Sequence, residues 1–274
     1  MIFESGEQST LRQDVSFEGI GIHTGAKCSL LIHPAEAGSG IVFLRDRVRI
    51  PATPSHVVDT SSRGTTLGLN GTKVVCIEHL LAALAGLGID NILCEVIGPE
   101  LPALDGSARV YVESFNNTGL LNQGRERKEY RIEQLECVSR GDAVLTGSPS
   151  DSFQAGFLLR YDNPMIGMST RQFSGGSDAF VADLASARTF GLWSEAEQLR
   201  AAGLALGASE ENALIVYEDR VRPALRFPDE FVRHKLLDML GDLALTGGAI
   251  HGTLFGVATG HWANVEMARR IRKE

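Results

Sequence analysis

Val74-Val75-Cys76-Ile77-Glu78-His79-Leu80-Leu81-Ala82-Ala83-Leu84-Ala85-Gly86 is rich in helix formers and ends at glycines able to cap a helix C-terminus. It predicts a helix, and Asn91-Ile92-Leu93-Cys94-Glu95-Val96-Ile97 just beyond it predicts a strand. Upstream, residues 16–49 hold short apolar and β-branched runs, Cys28-Ser29-Leu30-Leu31-Ile32 and Ile41-Val42-Phe43-Leu44, between Gly- or Pro-containing turns. These also predict strands. The second half repeats the order: strands that include Ala155-Gly156-Phe157-Leu158-Leu159-Arg160-Tyr161, a helix over about 230–245, then the strand Thr253-Leu254-Phe255-Gly256-Val257-Ala258. Each main helix opens near a histidine, His79-Leu80-Leu81 in one half and His234-Lys235-Leu236-Leu237 in the other. The expectation is an α+β protein built from two similar halves.

The polar, turn-rich segment 116–128 is the best candidate for a linker, which divides the chain into an N-terminal domain, 1–124, and a C-terminal domain, 125–274. The second domain has an extra piece. Residues 194–205 read as helical and Ala213-Leu214-Ile215-Val216-Tyr217 as a strand, an inserted strand-helix-strand unit over about 190–217.

Composition narrows the class. A chain of 274 residues with 43% hydrophobic and 22% charged residues, 30 Gly and 9 Pro has the balance of a globular protein and excludes disordered, collagen-like and disulfide-scaffold readings. The net charge of −8 supplies no general attraction to phosphate backbones, so nucleic acid is not an expected partner. Cys28, Cys76, Cys94 and Cys137 are scattered, with no C-x-x-C pair, and predict buried reduced thiols. The start, Met1-Ile2-Phe3-Glu4-Ser5-Gly6-Glu7, is acidic where a signal peptide is basic, and no run approaches the ~18 apolar residues of a membrane span. A cytoplasmic protein without stable membrane insertion is expected.

Phe231-Val232-Arg233-His234-Lys235-Leu236-Leu237-Asp238-Met239-Leu240-Gly241-Asp242 carries the strongest chemical signal. His234, Asp238 and Asp242 follow one another at four-residue steps and share a helix face. An imidazole and a carboxylate so spaced make a metal half-site, although on an arbitrary helix the same pair is more often a surface salt bridge. Glu78-His79 in the other half shifts the balance, because a charged pair on an otherwise apolar helix needs a partner. With His79 as third ligand, Glu78 is placed to accept a proton from water. Thr259-Gly260-His261, after a strand, offers a histidine as general acid.

Glu18-Gly19-Ile20-Gly21-Ile22-His23-Thr24-Gly25 lacks the third glycine and the lysine of phosphate-binding loops, which rejects a Rossmann or P-loop reading. Leu104-Asp105-Gly106-Ser107 reads as a turn, and His33, His56 and His251 as structural or solvent-facing. No serine sits in G-x-S-x-G.

Gly21-Ile22-His23-Thr24-Gly25, Ile77-Glu78-His79-Leu80 with Ala83-Leu84-Ala85-Gly86-Leu87-Gly88-Ile89-Asp90-Asn91, Leu104-Asp105-Gly106-Ser107, Ala187-Arg188-Thr189-Phe190-Gly191, the helix from His234 to Asp242, and Gly260-His261 occur in one order. Together they resemble the zinc-dependent UDP-3-O-acyl-N-acetylglucosamine deacetylases of bacterial lipid A synthesis, over about residues 10–264. The resemblance implies two α+β domains with their helices sandwiched between the two sheets. It implies one Zn2+ per chain, or Fe2+ in the same site, on His79, His234 and Asp238. Glu78 is then the general base, His261 the general acid oriented by Asp242, and Thr189 a support for the developing oxyanion. Lys235 becomes a diphosphate contact, Tyr161 a stacking surface for uracil, Leu192 part of an acyl-chain passage with Phe190 at its mouth, and His23 a further substrate contact. The implied partner is a small acylated UDP-amino sugar, the implied reaction is loss of its N-acetyl group as acetate in the committed step of lipid A synthesis, and the chain is expected to be a monomer.

Two positions depart from the family pattern. Asn163 stands in Tyr161-Asp162-Asn163-Pro164 where a His-Pro is usual, and Ala258 where a basic residue is usual. Both fall on the nucleotide side, so a paralogous zinc deacetylase of another acylated or nucleotide-linked amino sugar is the alternative. A silent nucleotide-sugar binder is a third reading, disfavoured by the intact chemical set.

Overall fold

A computed structural model describes residues 3–274. The first two residues of the acidic N-terminal stretch lie outside the described residues. Six helices are described: α1 (Glu78–Leu87), α2 (Arg109–Thr118), α3 (Ser177–Asp183), α4 (Ala196–Ala201), α5 (Glu230–Leu243) and α6 (His261–Arg272). None is long and apolar enough to cross a membrane.

The two halves build sheets of one topology. In the first, the strands run in the order Val15–Ile20, Lys27–Pro34, Ile92–Ile97, Ile41–Arg45, Val48–Pro51. The second runs Glu136–Arg140, Ala143–Ser148, Ala249–Val257, Phe153–Arg160, Met168–Ser174, with Glu129–Arg131 added alongside Ala249–Val257. In each, the central strand is the last in sequence and pairs antiparallel on one side and parallel on the other, with Phe43 opposite Cys94 and Ala155 opposite Leu254 in the parallel ladders. In each, that strand follows the half's main helix, α1 or α5, and precedes a second helix, α2 or α6. The sequence order strand-helix-strand therefore recurs as one folded unit built twice.

The main helices are buried on nearly all sides. Nine of the ten residues of α1 are buried, and in α5 every residue except Lys235 is. Such helices lie between layers rather than on a surface. α1 packs on α5, α5 lies on the Phe153–Arg160 strand, and α2 lies on Val15–Ile20, where Phe17 meets Tyr111 and Phe115 edge-on at 4.8 and 6.1 Å. The helices are thus sandwiched between the sheets. At Gly241 of α5 there is room for hydrogen only, because a Cβ would strike the Glu78 carbonyl.

Some local expectations change. The first helix begins at Glu78 and not at Val74: Thr72–Val74 is a strand, and Cys76, with φ 58°, turns the chain out of it. Val74 and Val75 are β-branched and favour that extended path. The linker segment is ordered: it finishes α2 and then forms the strand Leu120–Glu126, paired antiparallel with Glu7–Leu11. Its polarity reflects the exposure of the Leu120–Glu126 strand, whose partner is mostly buried, and Asn91 ties the pair together through Gln8 and Gln123. The expectation of buried thiols holds for Cys28 and Cys94; Cys76 is partly buried and Cys137 is exposed on the outermost strand of the second sheet, and all four are unpaired.

The insert pairs Phe190–Leu192 parallel to Leu214–Val216 through a connection that contains α4, and Val221–Arg222 completes a small sheet. Its helical part is shorter than the sequence suggests, a single 3-10 turn followed by six residues.

Candidate functional site

Where α1 and α5 meet, His79 from the first and His234 and Asp238 from the second bring three ligand atoms within 4.8 Å of one another. Asp238 Oδ1 is 3.6 Å from His79 Nε2 and 3.3 Å from His234 Nε2. The two imidazoles face each other nearly at right angles, with centroids 5.0 Å apart. His234 Nδ1 donates to the Ala187 carbonyl at 3.1 Å, which leaves the Nε2 lone pair directed at the same point. Burial lowers the His234 pKa to about 3, so the ring is neutral, as a ligand must be.

Asp238 decides the chemistry of this spot. Its Oδ1 is buried and makes no hydrogen bond, although such atoms are nearly always satisfied. Its other oxygen accepts from Lys235 Nζ at 2.7 Å. Burial alone would raise this carboxyl, but the Lys235 ammonium holds it well below the usual carboxylate range. A deprotonated oxygen aimed between two imidazole nitrogens fits a divalent cation by position and by donor type.

Around this trio stand two further groups. Glu78, 4% exposed, accepts the Thr65 amide at 3.0 Å, and burial raises its pKa. His261 opens α6 and sits with Nδ1 2.9 Å from Asp242 Oδ2. Burial would lower the His261 pKa, yet the Asp242 carboxylate outweighs it and lifts the value to about 9. The imidazolium form therefore persists at neutral pH. Asp242 is fully buried and held by Asn264 Nδ2 at 2.9 Å and the Thr65 hydroxyl at 2.5 Å. Thr65 and Asn264 escape a reading of the sequence. Asn264 had a faint signal, three residues after His261 on one helix face; Thr65 had none, being 177 positions from the residue it serves.

All these groups line or adjoin one cavity of about 710 Å³. Its wall includes Glu78, His79, His234, Lys235, Asp238, His261, Thr189, Phe190, Leu192, Tyr161 and His23. Asp242 lies behind the wall. Thr189 is set by its amide donating to the Gly106 carbonyl at 2.8 Å, so the Leu104-Asp105-Gly106-Ser107 turn positions it. Phe190 touches Tyr161, Phe231 and His234 edge-on, with Lys235 Nζ 5.4 Å from its ring centre. His23 lies across the cavity, where its carbonyl and that of Ile22 accept the Leu206 and Gly207 amides and so fasten the insert to the first half. Arg188 and Glu230, both buried, are paired at 2.8 Å beneath Thr189 in sequence and anchor the start of α5. Asn163 instead caps its own turn by accepting the Met165 amide at 2.9 Å, and Ala258 puts only a methyl group on the cavity wall. His33, His56 and His251 serve local contacts, with Asp14, Thr53 and the Asp151 carbonyl respectively.

Comparison with known proteins gives the family. The model of the UDP-3-O-acyl N-acetylglycosamine deacetylase family matches residues 8–273. Proteins named UDP-3-O-acyl-N-acetylglucosamine deacetylase from Citrifermentans bemidjiense and Myxococcus xanthus are 40% and 39% identical to it, over 97% and 98% of this chain and 89% and 88% of their own. A protein of the same name from Geotalea uraniireducens is 42% identical over 94% of this chain and 85% of its own. Because the matches run almost end to end at well over a third identity, the chain belongs to the family of UDP-3-O-acyl N-acetylglycosamine deacetylases.

Proposed function

We propose that this chain hydrolyses the N-acetyl group of a UDP-3-O-acyl-N-acetylglucosamine, releasing acetate and a free amine in the lipid A pathway, with Zn2+ held by His79, His234 and Asp238. The observation that carries the reading is the unbonded Asp238 Oδ1 between two imidazole nitrogens in the wall of the cavity. Fe2+ suits the same nitrogen and oxygen donors. When bound, the cation lowers the pKa of water and polarises the acetamide carbonyl.

Glu78 accepts a proton from the attacking water; its buried, raised carboxyl is a stronger base than an exposed one. The Thr189 hydroxyl donates to the carbonyl oxygen as that oxygen gains negative charge. Collapse expels the sugar nitrogen, which needs a proton, and His261 gives one from its imidazolium while Asp242 keeps the ring aimed. Water and amide in, acetate and amine out, the protons balance.

Lys235 meets the diphosphate with its ammonium; Asp238 raises its pKa despite burial, so the charge is secure. Tyr161, 36% exposed at the cavity mouth, offers its ring to the uracil. Phe190, Leu192 and the rest of the insert receive the acyl chain, and His23 closes the opposite wall. An acidic chain still binds this anion, because Arg63, Arg140, Arg160, Arg200 and Lys235 line the cavity and focus positive potential there. We assign residues 1–124 and 125–274 to two domains whose faces together make the site. One chain supplies every group named, which favours a monomer, and four unpaired thiols suit the reducing cytoplasm.

The test incubates zinc-loaded protein with UDP-3-O-(3-hydroxyacyl)-N-acetylglucosamine and follows acetyl loss by mass spectrometry. Glu78→Ala should keep its fold and metal while turnover drops about 10²- to 10⁴-fold, the usual worth of a positioned base. Unchanged turnover would overturn the assignment of this site, and a preference for substrates lacking UDP would overturn the substrate.

A further inference from the structure

A second group of ligand-type side chains stands apart from His79, His234 and Asp238 and shares His23 with the cavity wall. His23, Cys76 and Glu100 also bring a nitrogen, a sulfur and a carboxylate oxygen within 4.8 Å of one another. They come from three separate places: the turn after the first strand of the first sheet, the residue that leads into α1, and the chain just beyond the central strand. A bridge between Val75 and Glu100 fixes the last two side by side. His23 and Cys76 both face the cavity.

Glu100 shows why the group is more than a chance meeting. It is fully buried, and its oxygens accept from the His23 amide at 3.0 Å, the Thr24 amide at 2.9 Å and the Thr24 hydroxyl at 3.0 Å, with no cationic side chain paired to it among the described residues. A buried carboxylate so placed is stabilised by a cation, and it retains lone pairs to offer one. His23 Nδ1 accepts the Ala205 amide at 3.3 Å, so Nε2 is the nitrogen a cation would take. Burial lowers the His23 pKa, which keeps the ring neutral. Cys76 Sγ and Glu78 Oε1 both lie beside Gly64, where a Cβ would stand 3.1 Å from the first and 2.8 Å from the second.

We propose that His23, Cys76 and Glu100 form a second cation site, for a borderline-soft divalent ion such as Zn2+, Co2+ or Cd2+, in the wall of the same cavity. Imidazole, thiolate and carboxylate are the three ligand types such ions accept together, and three protein ligands leave a position for water on the cavity side. Binding forms the metal–sulfur bond and releases the thiol proton to solvent. The ion ties the His23 turn, which also holds the insert, to the entrance of α1. This site does not depend on the reaction proposed above.

Co2+ titration of the metal-stripped chain tests it, because thiolate–Co2+ bonding gives a near-ultraviolet charge-transfer absorption that nitrogen and oxygen ligands do not. The His79, His234 and Asp238 set contains no sulfur, so the absorption reports the second site alone. The unmodified chain should bind two ions and develop the band. Cys76→Ser should bind one ion without the band, Asp238→Ala one ion with it, and His23→Gln should need at least about tenfold more Co2+ to develop it, the loss typical even for a group that only supports a ligand. A saturated chain without the band, a band that survives Cys76→Ser, or a band lost in Asp238→Ala would each overturn the proposal. Failure to deacetylate would leave the band untouched, and normal deacetylation by a chain without the band would sink this inference alone.

Discussion

Asp238 carries two neighbours of opposite demand, two imidazoles at one oxygen and an ammonium at the other. Asp238→Ala removes the oxygen common to both histidines and leaves Lys235 without its carboxylate, so affinity at this site should fall at least about tenfold, measured as the free Zn2+ concentration that half-fills it. His261 is the residue whose titration is visible at accessible pH. Its folded pKa of about 9 lies above the ordinary 6.5, so the ion pair with Asp242 is complete below pH 6.5 and is lost as pH climbs through about 9. The imidazolium is also the donating form, and turnover should decline over that alkaline limb. Asp242→Asn removes the charge that raises the pKa and should move the limb toward neutrality, as a pH–rate profile would record; an unmoved limb would assign it to another group.

At the scale of elements, α5 presents His234, Asp238 and Asp242 along one face, and each meets a different partner: the cation site, Lys235 and the histidines, and then His261 with Thr65 and Asn264. One helix thereby sets the spacing between the proposed metal ligands and the proposed general acid. Gly241 lies on that helix against the Glu78 backbone of α1. Gly241→Ala should force the two helices apart, destabilise the fold by about 1–3 kcal/mol in denaturant unfolding, and lower turnover with it, since the same contact sets the distance from Glu78 to the α5 ligands. A fully stable variant would show that the helices can slide without penalty. The insert is held differently, by backbone bonds from Leu206 and Gly207 to the His23 turn and by Arg63 paired with Glu195.

For the whole molecule, two sheets of one strand order face each other across helices that neither sheet covers alone. Leu80, Leu81 and Leu84 of α1 and Leu236, Leu237 and Leu240 of α5 are entirely buried. Separating the halves would expose apolar side chains worth about 1.5–3 kcal/mol each. Residues 1–124 produced alone should therefore show no cooperative thermal transition by circular dichroism, while the intact chain melts in a single step. A sharp melt for the fragment would mean that each half carries a sufficient core of its own.

Much of this was legible in the amino-acid order, because it rests on local periodicity. The four-residue spacing of His234, Asp238 and Asp242 is geometry that any α-helix imposes, and the recurring strand-helix-strand order announces two like halves before any contact is known. The glycines after α1 and the apolar run of the central strand are equally local signals. What tertiary structure alone decided concerns pairs far apart in the chain. It brought His79 to Asp238, Thr65 to Asp242 and Cys76 to Glu100, and it turned a polar stretch that reads as a linker into a strand, because its partner, Glu7–Leu11, lies over a hundred residues away. Charge balance, burial and the pKa of His261 belong to that second class. They arise from neighbours supplied by the packing of α1, α5 and α6, and no window of sequence contains them.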